Sequence, residues 1–448
     1  MMKKNTKWIG LPIATVLTLS LVAGCSSGQQ TAPAAASTGD AAASTEASVA
    51  DVATTEATTE EVAAETPEIV YLNVEAPAPA AENGVVSAEE WREIYPEIVE
   101  SYFANDNNTY RVSYIDENPW MKEFYEGFGF AKDYSSAVGH TYTLDDVSHT
   151  ERPHPMANCL TCKTPDFTKL VNDMGVEAYK YDFEETFAQM TNPISCYNCH
   201  ENNAGKGGEL VVTHQYLANA VSKESKEISK EVLVCGQCHN EYYFDPETKA
   251  TTLPYEDIAG MDPEAIMAYY NDMGFADWTQ ESTGSKLIKV QHPEMEYILG
   301  EGSKHKDLVS CADCHMAKTV SDDGKAYTSH TWESPLANQA LLDTCVKCHN
   351  DTDMKQKVAD IQAEVTARET EVGEKLAALK NALAEAVAAG EMGEEELDAV
   401  RALHRSAQFY WDFSFVENSE GAHNSTMAKR VLDLAERDVD EGMKLLGQ

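Results

Sequence analysis

The sequence predicts a mainly α-helical protein with a loop-rich body over residues 85–350 and long helices over residues 351–448. Two observations predict it. The body is rich in Pro, Gly, Asn and aromatic residues and holds ten cysteines in close pairs. Beyond His349 the texture changes: Ile361, Val365, Val372, Leu376, Leu379, Leu383 and Val387 recur at three, four and seven, the spacing of one helical face. Gly390 and Gly393 interrupt that helix. A second is expected from Glu394 to about Phe413 and a third from Thr426 to Leu446. A stripe of this length needs a partner, either the body or a second copy of the chain.

Ahead of the body lies a processing signal. Lys3, Lys4 and Lys7 precede a mostly apolar stretch from Trp8 to Gly24. That stretch is short for a membrane span and fits a signal peptide over residues 1–24. Leu21-Val22-Ala23-Gly24-Cys25 resembles a bacterial lipobox, which makes Cys25 the expected lipidation site and places the protein, exported, on the outer face of the cytoplasmic membrane. Residues 25–84 are acidic and rich in Ala, Thr, Ser, Glu and Pro, with no Lys or Arg between Trp8 and Trp91. Such a segment buries too little apolar surface to fold and reads as a disordered linker.

The chain carries 34 Lys+Arg against 75 Asp+Glu, a formal charge of −41. No nucleic-acid partner is expected of so acidic a surface. An anionic substrate would need a local positive pocket.

Setting Cys25 aside, the cysteines form five C-x-x-C pairs: Cys159/Cys162, Cys196/Cys199, Cys235/Cys238, Cys311/Cys314 and Cys345/Cys348. Four are followed at once by histidine (His200, His239, His315 and His349), and the first by Lys163. C-x-x-C-H is the attachment signature of c-type haem: two thiols bond the two vinyl groups of one haem, and the next residue lies under the iron. Zinc sites use cysteines in fours, and ten is not a multiple of four. Disulfides do not explain four histidines at one offset. The pattern therefore reads as a multihaem cytochrome c with five covalent haems, here numbered in order of attachment. Thirteen histidines are enough to give four haems a second axial ligand each.

Lys163 is the informative exception. An amine must be neutral to bind iron, so burial and the ferric centre must depress its pKa. A haem held this way, with its opposite face open, can bind a small ligand. Haem 1 is thus the candidate catalytic centre and the other four a wire.

These motifs resemble those of the ammonia-forming cytochrome c nitrite reductases. The likeness runs from about Trp91 to the C-terminus, through Cys159-Leu-Thr-Cys-Lys-Thr-Pro-Asp166, Cys235-Gly-Gln-Cys-His-Asn-Glu-Tyr-Tyr-Phe244, Lys289-Val-Gln-His-Pro-Glu294, Cys311-Ala-Asp-Cys-His-Met316 and Tyr327-Thr-Ser-His330. The resemblance implies second ligands: His330 for haem 2, His140 for haem 3, His423 for haem 4 and His305 for haem 5. It implies Arg152, Tyr242 and His292 around the open face of haem 1. It leaves His149, His154, His214 and His404 without a role, as surface or hydrogen-bonded histidines, and leaves open whether His149 or His154 reaches the site across the short loop before Cys159. It implies a calcium ion held by the Glu241 carboxylate, the Tyr242 and Lys289 carbonyls and the Gln291 amide oxygen, which would pin both Tyr242 and His292. It also implies a homodimer formed through the long helices.

The implied reaction is NO₂⁻ + 8H⁺ + 6e⁻ giving NH₄⁺ + 2H₂O, in nitrite respiration or detoxification. An arginine fork and a protonated His292 would hold the anion, which also answers the charge problem. The electron donor expected is a quinol-oxidising membrane cytochrome c. A pure electron relay, or reduction of sulfite or hydroxylamine, are the alternatives that the sequence leaves open.

Overall fold

The computed structural model describes residues 74–448 apart from 82, 108–110, 222–227 and 351–352. Cys25, the signal peptide and most of the linker lie outside the described residues. The rest is mainly helical, with three two-stranded antiparallel hairpins among the described residues.

The attachment motifs sit on short helical turns, and the chemistry explains why. One turn brings positions i and i+3 to the same side and i+4 beside them, so both thiols and the following histidine face one haem. Helix α1 (Pro165–Met174) follows the first motif, which itself lies on a tight turn over Ala157–Leu160. The second motif is helix α2 (Cys196–His200) and the third closes α3 (Lys230–Gly236). Helix α4 (Glu294–Leu299) starts just beyond His292. The fourth motif is α5 (Cys311–His315), and the fifth ends α6 (Gln339–Cys345). Short side chains start these turns. Ser310 Oγ accepts from Asp313 N at 3.3 Å while the Asp313 carboxylate accepts from Ser310 N at 2.8 Å, a reciprocal cap that lets a five-residue helix hold.

Three long helices follow: α7 (Met354–Ala389), α8 (Glu394–Phe415) and α9 (Ser425–Leu445). Gly390 ends α7 in the left-handed region, φ 66°, where a side chain would be strained. The stripe expected from sequence is real, but its partner lies in the same chain. Val365, Val372, Leu376, Leu379 and Leu383 are buried in one core with Val400, Phe409, Trp411 and Phe413 of α8 and Val431, Leu432 and Val439 of α9. Periodicity shows that a face is covered, not by what, so this stripe no longer argues for a second copy.

The bundle is also keyed to the body. Trp120 packs at 5.4 Å from Trp411 and leaves no room for a side chain at Gly373 of α7. Lys380 reaches Glu123 and Glu126, each at 2.7 Å. The body also starts earlier than residue 85. Ala76 N donates to Gly205 O at 2.7 Å and Gly207 N to Val74 O at 2.9 Å, backbone contacts that composition does not reveal.

Candidate haem and active site

Each of the four motif histidines has a second imidazole across a gap of one size, the rings tilted or edge-on to each other; His239 has His292 at the same 6.4 Å as well. Ring centroids are 6.4 Å apart for His200 and His330, 6.3 Å for His239 and His140, 6.1 Å for His315 and His423, and 6.4 Å for His349 and His305. Two imidazoles sharing one metal, with bonds of about 2 Å each, put their centroids roughly 6 Å apart. Each pair joins a motif histidine to the residue that the resemblance assigned to it.

The outer ring nitrogens of four of these rings are occupied, and His239 Nδ1 lies 3.6 Å from the Glu294 carboxylate. Nδ1 of His200 bonds Glu209 O at 2.8 Å, that of His315 bonds Glu333 O at 3.0 Å, and that of His330 bonds Thr328 O at 2.9 Å. Nδ1 of His423 lies 2.5 Å from the fully buried Glu417 carboxylate. An Nδ1–H that donates outward leaves the Nε2 lone pair for a metal and fixes the ring. The residues therefore fit haem. A carboxylate partner makes His423 more electron-rich than its three carbonyl-bonded counterparts. Glu417→Gln is accordingly expected to raise the reduction potential of haem 4 alone, checked by a spectroscopic redox titration; an unchanged set of potentials would contradict it.

The attachment sites lie close together: Cys162 is a neighbour of Cys238, and Cys235 of Cys311, which brings motifs one, three and four side by side. Trp332, at a left-handed φ of 44°, lies 4.6 Å from the His140 ring and 5.5 Å from that of His330. It therefore bridges the second ligands of haems 3 and 2. No motif pointed to Trp332.

Haem 1 has no such imidazole pair among the described residues. The Lys163 carbonyl accepts from Thr143 Oγ1 at 2.7 Å, and Lys163 Nζ lies 3.3 Å from Asp146, which also pairs with Arg111 at 2.9 Å. The candidate catalytic side chains converge here electrostatically. Arg152 lies within electrostatic reach of Tyr242 and Cys159, and Lys163 within reach of His292. Burial, with Cys162 nearby, holds the Tyr242 phenol well above its ordinary value, so it stays protonated. The His292 imidazole is exposed in the polypeptide and stands near Glu294 and Lys163, which act on its protonation in opposite directions. Arg152 is half-buried; its Nε bonds Phe130 O at 3.2 Å and lies 3.6 Å from Asp133.

The remaining histidines sort cleanly. His149 is exposed and turns back on Asp145 O at 2.7 Å, and His154 is exposed. His214 is buried with Nε2 3.6 Å from Cys238 Sγ. His404 is buried on Ser285 Oγ at 2.9 Å.

The calcium residues also come together. Glu241 is fully buried and accepts from Tyr270 OH at 2.9 Å and Gln291 N at 2.6 Å. With no Lys or Arg in hydrogen-bond contact, burial raises its carboxyl well above the usual range, and a cation would reverse that cost. Gln291 Nε2 donates to Lys289 O at 2.9 Å; turned over, the same amide would present its oxygen beside that carbonyl. One buried carboxylate among carbonyl and amide oxygens suits Ca²⁺.

Fold and site together define a multihaem cytochrome c. The family model for cytochrome c552 matches residues 87–448. A cytochrome c-552 of Bacteroides fragilis is 31% identical over 366 residues, covering 77% of this chain and 71% of the relative. This chain belongs to the cytochrome c552 family. Among solved structures, the catalytic subunit of cytochrome c nitrite reductase from Desulfovibrio desulfuricans, described with two calcium sites, superposes with a TM-score of 0.73. It is 25% identical, and the match covers 82% of this chain and 87% of that one. The mainly helical fold with long C-terminal helices and the resemblance read from the motifs are both borne out.

Proposed function

We propose that this chain is an ammonia-forming nitrite reductase that takes six electrons to nitrite at haem 1, held by Cys159, Cys162 and Lys163 and fed by four bis-histidine haems. One observation carries the reading. Four attachment sites have a second imidazole at one-metal spacing, while the lysine site has none among the described residues and lies within electrostatic reach of Arg152, Tyr242 and His292.

A haem with one open position supplies a redox-active iron for the substrate nitrogen. Each surrounding residue adds a separate function. Arg152 attracts and orients the anion against the overall negative field. His292 and the half-buried Tyr242 donate hydrogen bonds where charge grows on the departing oxygens. Calcium on Glu241, Tyr242, Lys289 and Gln291 would tie the two segments that carry these donors.

No helix among the described residues is long and apolar enough to cross a membrane. We place the enzyme on the outer face of the membrane through a lipid on Cys25, with a membrane quinol-oxidising cytochrome c as donor and a homodimer as the assembled form. Membranes containing that donor should reduce the purified enzyme.

The activity is tested by ammonium formed per nitrite consumed, with a reduced viologen as donor. A ratio near one is expected. A fully haem-loaded protein that consumes no nitrite would replace this reading by an electron relay.

A further inference from the structure

The segment that carries His292 is held amide by amide. Lys289 N donates to Asp277 Oδ2 at 2.8 Å, Val290 N to Asp412 Oδ2 at 3.0 Å, Gln291 N to Glu241 Oε2 at 2.6 Å, and His292 N to Asn240 O at 3.3 Å. Three of these acceptors belong to residues near Tyr242 or on the adjoining hairpin. The fourth, Asp412, comes from α8 in the C-terminal bundle.

Asp412 is fully buried and every oxygen is used. Oδ1 accepts from Tyr125 OH at 2.7 Å and Tyr134 OH at 3.0 Å. Oδ2 faces Lys289 Nζ at 3.2 Å as well as Val290 N. Lys289 Nζ also lies 4.3 Å from the Tyr134 ring centroid. A buried carboxylate with this many donors is fixed in place, and it makes two ties to the residues just before His292.

We infer that Asp412 is a positioning residue for His292, through which the C-terminal bundle sets the geometry of the active site. The inference rests on the proposed role of His292. It gives α8 a part in catalysis that its distance in sequence from the motifs hides.

Asparagine at 412 keeps the shape but puts an N–H₂ against donors on one side or the other, so one pair of ties is lost. Supporting residues of this kind cost about 10- to 100-fold when removed. Asp412→Asn is therefore expected to lower kcat for nitrite by that factor with little change in KM. The decisive reading is a double-mutant cycle. If Asp412 acts through His292, Asp412→Asn adds no further loss in a His292→Ala background. A purely structural role would lower the melting temperature and leave kcat alone, as expected for Glu369→Gln, a buried carboxylate of the same bundle that accepts from Ser414 Oγ instead.

Should Asp412→Asn fail to load its haems, Lys289→Met removes one of the two ties, with a several-fold loss expected that also vanishes in the His292→Ala background. Unchanged kcat in either folded variant, or losses that multiply with that of His292→Ala, would overturn the inference. If His292→Ala itself cost nothing, the fault would lie with the role given to His292.

Discussion

Replacing Cys159 and Cys162 together by alanine is expected to leave a protein with four covalent haems and no nitrite reduction. The two thiols are the only covalent hold on haem 1, and they lie beside Lys163, Tyr242 and Arg152. The four imidazole pairs are built from other segments, so the bis-histidine spectrum should persist. Haem content by mass and turnover by nitrite loss check both halves. Wild-type turnover in a four-haem protein would move the reaction to another site. The same change at Cys345 and Cys348 should also remove one haem, but its effect should fall on electron supply, so that a small dye able to reduce haem 1 directly restores part of the rate.

His292→Ala carries the second large effect. The imidazole is close enough to the first motif to feel Lys163, and the proposed mechanism makes it the donor of a hydrogen bond to the departing oxygen. Loss of a positioned donor or general acid costs about 10²- to 10⁴-fold, and a loss of that order in kcat is expected with all five haems retained. Nitrite binding should weaken less than turnover, because Arg152 still attracts the anion. A variant that keeps the wild-type kcat would remove His292 from the mechanism. A variant that loses haem 3 would instead show that the ring serves its neighbour His239, 6.4 Å away.

Much of this site is legible in the sequence because covalent haem chemistry dictates spacing. Two thiols and a ligand must share one helical turn, and the four second histidines fall where the resemblance puts them. The three C-terminal helices were also legible, since apolar period and the Gly390 break are local signals. What stayed hidden depends on tertiary contact. The α7 stripe showed a covered face, but its cover, α8 and α9, is a matter of how the chain folds back. Glu417 behind His423, Trp332 between His140 and His330, and Asp412 behind Val290 N are ordinary residues in ordinary surroundings until the fold brings them to a ligand or a loop. The early start of the body at Val74–Ala76 rests on backbone hydrogen bonds, to which composition is blind.

The most direct test of the central claim is to add nitrite to the oxidised enzyme and follow each haem by electron paramagnetic resonance. One high-spin haem should respond and four low-spin haems should not, with the response lost in the Cys159→Ala/Cys162→Ala variant. Nitrite that perturbs no haem, or perturbs a bis-histidine haem while haem 1 stays unchanged, would contradict the assignment of the reaction to the lysine-bearing site.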